Sequence, residues 1–248
     1  MARSFITATD QMNVTFSPTS ALTVSWWVFS STLPSPATLA ALSWDNAAQA
    51  IYLSGSSYPL KVFAAGGTPG GSTAAIINQN TWYNIIWAQT VSSGAGTYTI
   101  YLNGSSVFSD NGSLVNGFAS GSRTWNVGNI VPTGTNPLNG YMADMAVWST
   151  VLSSIELAAL ANGARPSTIR PTLLLGWWPM GGYQSPEPDL SGKANNGTLV
   201  GTNLAFGPPL MQFTPRWPQT LAGPSLSPIL SPAMVTSHFT RRTNVIGY

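Results

Sequence analysis

Five aspartates and two glutamates carry whatever acid–base chemistry this 248-residue chain has, and their placement argues against catalysis. Glycoside hydrolysis needs two carboxyl groups flanking the scissile bond. The two glutamates, Glu156 and Glu187, stand far apart, and no Glu-x-Asp-x-Glu run exists. Ser153 and Glu156 have the spacing of a capping box, in which each side chain satisfies the other residue's free backbone N–H. Glu156 is therefore committed to a helix start, and Glu187 falls in a proline-rich loop. Asp144 interrupts an apolar strand pattern and reads as a structural hydrogen-bonding group. Asp45-Asn46, Asp110-Asn111 and Asp189 carry oxygens of the kind calcium takes, but isolated aspartates more often cap turns. With no cysteine and one histidine, His238, a thiolate or histidine-rich metal site is excluded, and a Ser-His-Asp triad would have a single available base. No enzyme activity, metal or cofactor is expected.

Aromatic side chains are the other chemically able group. Trp44, Tyr58, Trp125 and Trp217 offer faces on which a sugar ring can stack, with serine and asparagine nearby to bond hydroxyls. The paired tryptophans Trp26-Trp27 and Trp177-Trp178 must send neighbouring rings to opposite faces of a strand. One ring of each pair is expected in the core and the other against a second layer. Sequence alone does not say which.

The elements that must position these groups are mostly strands. Leu22, Val24, Trp26 and Val28 alternate with Thr23, Ser25, Trp27 and Phe29 at the two-residue period of a strand. Trp82 to Val91 and Gly96 to Asn103 flank Ser92-Ser-Gly-Ala95, a hairpin signal. Asn-Gly pairs beginning at Asn103, Asn111, Asn116, Asn139 and Asn196 suit turns that need positive φ. Gly140 to Trp148 reads as a buried strand. A short helix follows from the Ser153 cap to Asn162-Gly163, with Ile155, Leu157 and Leu160 as its apolar face. Many strands and one helix predict an all-β antiparallel sandwich or jelly roll.

Charged residues make up 6% of the chain, against roughly 25% in ordinary soluble domains. The net charge of +2 rests on two lysines and seven arginines, too few for a groove that tracks phosphates, so nucleic acid is not an expected partner. No apolar run approaches the roughly 20 residues of a membrane helix, and no membrane partner is expected. The opening Met1-Ala-Arg-Ser-Phe-Ile-Thr lacks the apolar stretch of a secretory signal, which predicts a protein used without export.

Several segments, in order, resemble the laminin-G-like, concanavalin A-like jelly-roll family. They are Ser4-Phe-Ile-Thr through Leu22-Thr-Val-Ser-Trp-Trp-Val28, Trp82-Tyr-Asn-Ile-Ile-Trp-Ala88, and Tyr98-Thr-Ile-Tyr-Leu-Asn-Gly104. Trp125-Asn-Val-Gly-Asn129, Leu138 through Leu157, Leu173 through Met180, and Asp189 through Gly201 continue the likeness. The resemblance implies a concanavalin A-like sandwich over residues 1–207, with one short helix.

After Gly207, prolines at 208, 209, 215, 218, 224, 228 and 232 forbid a helix or an interior strand. Residues 208–248 are therefore expected to form an extended C-terminal arm held by a neighbouring molecule. Aromatic residues and arginine are enriched at interface hot spots. Phe213, Trp217, Phe239 and Tyr248 are the expected anchors, and Arg216, Arg241 and Arg242 the expected pairing groups. Laminin-G-like domains without signal peptides occur among phage structural proteins. By that analogy the expected function is a virion structural protein, a capsid decoration or cement protein assembled in the host cytoplasm. Its expected partners are the major capsid protein and copies of itself. The alternative expectation is a carbohydrate-binding, lectin-like module for a host glycan.

Overall fold

The computed structural model describes residues 1–31, 39–44, 49–53, 59–63, 69–92, 95–111, 122–129, 137–182 and 185–209; within 39–76, 91–95 and 110–111 it describes the backbone alone. The chain divides into two units, Met1–Met211 and Gln212–Tyr248. The expected arm anchors Phe213, Arg216, Trp217, Phe239, Arg241, Arg242 and Tyr248 lie outside the described residues, as does His238.

The strands are β1 (Ala2–Phe5), β2 (Gln11–Phe16), β3 (Ala21–Ser30), β4 (Leu39–Trp44), β5 (Gln49–Leu53), β6 (Pro59–Phe63), β7 (Pro69–Ile76) and β8 (Trp82–Ser92). After them come β9 (Ala95–Leu102), β10 (Ser105–Asn111), β11 (Arg123–Val127) and β12 (Gly140–Trp148). Helix α1 (Ser154–Ala161) precedes β13 (Leu174–Trp178), β14 (Thr198–Val200) and β15 (Asn203–Ala205). One sheet runs β10-β9-β8-β3-β12-β1-β15, with β13 also paired to β12; the other runs β14-β2-β11-β4-β5-β6-β7. Every pairing between named strands is antiparallel. The fold is the two-sheet, all-β sandwich that strand alternation predicts.

Leu22, Val24, Trp26 and Val28 of β3 join Ile85 and Trp87 of β8 and Met142, Met145 and Val147 of β12 in the core. Met12, Val14, Phe16, Trp125 and Val127 of the second sheet close it from the other side. The tryptophan pairs split as strand geometry requires. Trp26 and Trp178 fill this core, while Trp27 and Trp177 lie on the outer face of the eight-stranded sheet.

Two satellite clusters cover that outer face, which explains why the second side of β3 is also buried. At one end, Leu157 and Leu160 of α1 pack with Ile86, Trp148, Leu152, Ile169 and Leu174. The helix begins and ends where expected: Glu156 Oε2 accepts the Ser153 backbone N–H at 2.7 Å, and Gly163 has φ +85°. Asn103 and Gly104, both at positive φ, turn the β9–β10 hairpin directly beneath α1. A Cβ at Gly104 would lie 3.1 Å from the Ala161 Cβ.

Ile155 departs from its expected role. It is 81% exposed, whereas Leu157 is 1% exposed. Two residues along a 3.6-residue helix is a rotation of about 200°, so the two side chains cannot share a face.

Candidate functional site

Each described glutamate is engaged by its own chain. Glu156 Oε1 accepts the Arg170 Nε–H at 2.6 Å; that bond holds the Glu156 carboxyl down at about 2. Glu187, placed by sequence in a proline-rich loop, is fully buried. Its Oε2 pairs with Arg3 at 3.1 Å and its Oε1 accepts the Gly181 backbone N–H at 3.0 Å, which ties β1 to the loop after β13. Sequence reasoning missed this pair because nothing local to either residue points to the other.

The aspartates follow suit. Asp10 Oδ2 accepts the backbone N–H groups of Ile6 and Thr7, and Oδ1 accepts the Thr7 hydroxyl. Asp189 accepts backbone N–H groups from Trp177, Ser191 and Asn195, plus the Ser191 hydroxyl, all at 2.9–3.0 Å. Four donors occupy the oxygens that a calcium ion would need. Among the described residues, no group of three or more His, Cys, Asp or Glu side chains is placed to hold a metal. The side chains of Asp45, Asn46, Asp110 and Asn111 lie outside the described residues.

Asp144 stands apart. It sits at φ +52° where the β12–β3 register slips between Ala143 and Ala146. The bulge turns its carboxylate toward Trp177, whose Nε1–H donates to Oδ1 at 2.6 Å. Burial pushes its pKa up to about 6; the Trp177 hydrogen bond, Arg165 and the amino terminus pull the other way. The structural bond expected of Asp144 is present.

The sugar-stacking residues proposed from sequence do not gather. Trp125 is fully buried beside Phe16, their ring centroids 4.7 Å apart. Tyr58 and Trp217 lie outside the described residues, as does the side chain of Trp44.

A different aromatic group forms on the outer face. Phe29 on β3 stands directly across from Trp82 on β8 and from Tyr141 on β12. Their rings make a row across three adjacent strands, with Phe29–Trp82 centroids 5.5 Å and Phe29–Tyr141 centroids 5.2 Å apart. Phe206, just after β15, meets all three rings near perpendicular at 5.0–6.1 Å. It is 57% exposed, and Trp82 and Tyr141 are half-buried.

The neighbouring turns are neutral and polar. Ser31 Oγ donates to the Asn139 carbonyl, and Gln79 Nε2 donates to the Ser31 carbonyl at 2.6 Å. Alternation along β3 already placed Phe29 opposite the core. The missing signal was the antiparallel register, which brings residues 29, 82, 141 and 206 together from four distant segments.

Residues 4–158 match the sequence model of the concanavalin A-like lectin/glucanases superfamily. No curated protein matches the chain in sequence. Among solved structures it is similar to a candidate carbohydrate-binding protein from Bacteroides ovatus, at TM-score 0.62 and 16% identity. That match covers 82% of this chain and only 58% of the Bacteroides chain. It is also similar to a heptameric SAP-like pentraxin from Limulus polyphemus, at TM-score 0.52 and 16% identity, over 66% of this chain and 83% of the other.

These relatives overturn the expectation of a capsid decoration protein. One is named as a candidate carbohydrate-binding protein and the other as a pentraxin; neither is a phage capsid protein, and they give no support to a major capsid protein as partner. The virion reading rested on the missing export signal and catalytic set, sparse charge, a proline-rich arm and analogy with phage domains, and none of these is specific to assembly. The chain belongs to the concanavalin A-like lectin/glucanases superfamily, with a lectin-type β-sandwich fold.

Proposed function

We propose that this chain is a carbohydrate-binding module that holds a glycan without cleaving it. The observation that carries the reading is the row of Trp82, Phe29 and Tyr141 with Phe206 upon it, an aromatic surface left partly open on a lectin-type sandwich. Soluble folds close such rings into the core unless something else covers them, and a grouped apolar surface marks a binding region. The carbohydrate binding named for the Bacteroides ovatus relative points the same way.

The described acids support binding without hydrolysis. Glu156, Glu187, Asp10 and Asp189 each spend their oxygens on donors of the chain itself. Burial raises the Asp144 pKa to about 6. A single such group is half of the pair that glycosidic cleavage requires.

The test is retention of the full chain on insoluble polysaccharides and immobilised oligosaccharides, with chromatography of the sugar afterwards. Retention with unshortened sugar is the expected result. Retention accompanied by progressive shortening would make the protein an enzyme, and no retention on any sugar would remove the reading.

A further inference from the structure

Resting on that reading, the geometry points to the row Trp82–Phe29–Tyr141, walled by Phe206, as the glycan site, and to an uncharged oligosaccharide as its ligand. Adjacent strands lie about 4.8 Å apart, so three ring-bearing strands span roughly 10 Å, room for more than one sugar unit. Phe206 is nearly perpendicular to the row, at 85° to Phe29, 89° to Trp82 and 76° to Tyr141. Phe29, at the centre of the row, is 7% exposed, so the ring surface open to a pyranose C–H face is that of Phe206 with the half-buried Trp82 and Tyr141 at its flanks. Sugars of this kind pair an apolar face with hydroxyls around the rim, so an aromatic floor needs polar groups beside it.

Those polar groups are present. Ser31, Gln79, Asn80, Thr81 and Asn139 cluster in the turns at one end of the row, and none of their side chains carries a charge. The Trp82 Nε1–H is a second, independent pointer. It is enclosed and has no acceptor among the described residues. An enclosed donor without a partner is costly, and the ring that meets Trp82 edge-on is Phe206, more than half exposed. A side-chain shift that uncovers the indole N–H lets a sugar hydroxyl accept its bond. Among the described residues, the turns beside the row offer no charged side chain to replace the water of a sialylated or sulfated sugar, and the nearby Met1 amino group lies on the far side of Phe206, by Gly207.

The experiment is isothermal titration of the full chain and its variants with neutral gluco-, galacto- and manno-oligosaccharides, alongside sialylated and sulfated ones. Tyr141→Ala and Phe206→Ala should each weaken binding of the neutral ligand about tenfold, a size typical of losing one aromatic contact. Trp82→Phe keeps a ring and removes the N–H, and should weaken binding less. Circular dichroism and a melting curve for each variant confirm that the sandwich is intact, and Ile155→Ala on α1 serves as the distant control. Neutral-sugar binding unchanged in the Tyr141 and Phe206 variants would overturn the site while leaving carbohydrate binding standing. Binding confined to charged glycans would overturn the ligand class. A wild-type chain that binds no sugar would end both this inference and the reading beneath it.

Discussion

Arg3 and Glu187 form a pair whose side chains are 4% and 1% exposed. Glu187→Gln keeps the shape and leaves the guanidinium buried without its charge partner. That change should cost about 3–5 kcal/mol in denaturant unfolding, because a lone buried charge recovers little of its lost hydration. Asp144 predicts a pH effect. Its pKa in the folded chain is raised to about 6 from an ordinary 3.8, so the folded state holds the proton more tightly than the unfolded state. Stability from this group is fully present below about pH 4 and falls as pH rises through 6. Asp144→Asn should flatten that segment of the stability–pH curve, by on the order of 2 kcal/mol. The role of Glu156 was legible in sequence because a capping box is a local pattern. That of Glu187 was not, since its partner lies 184 positions away.

At the scale of elements, α1 offers the sharpest contrast. Leu157→Ala should cost about 2–5 kcal/mol by emptying a buried position, whereas Ile155→Ala should change stability by less than about 0.5 kcal/mol. A pair of thermal melts decides it, and equal losses would mean that both side chains face the sheet. The two-residue alternation of β3 and the 82–103 hairpin were plain in the sequence, because each depends on neighbours only. The bulge in β12 was hidden. Ala143, Asp144 and Met145 read as continuous strand, whereas the register with β3 slips between Ala143 and Ala146. Likewise the aromatic row required knowledge of register. Sequence suggested Trp125 as a platform, and the second sheet of the sandwich instead buries it completely.

For the Met1–Met211 unit as a whole, the composition takes on a different sense from the one first given to it. Charge at 6% of residues leaves large neutral tracts, to be solvated by Ser, Thr, Asn, Gly and Gln or covered by partners. In the described residues, neutral polar turns border an aromatic surface, a chemistry suited to a neutral polyol. Fold class was readable from strand periodicity and one capped helix. Function was misread, because a proline-rich segment says that a chain is stiff and leaves open what it touches. The account stands most directly on whether the full chain binds sugar at all. A glycan array carrying neutral and charged oligosaccharides, probed over a concentration series, should give saturable signal on at least one neutral glycan; a blank array at every concentration would contradict it.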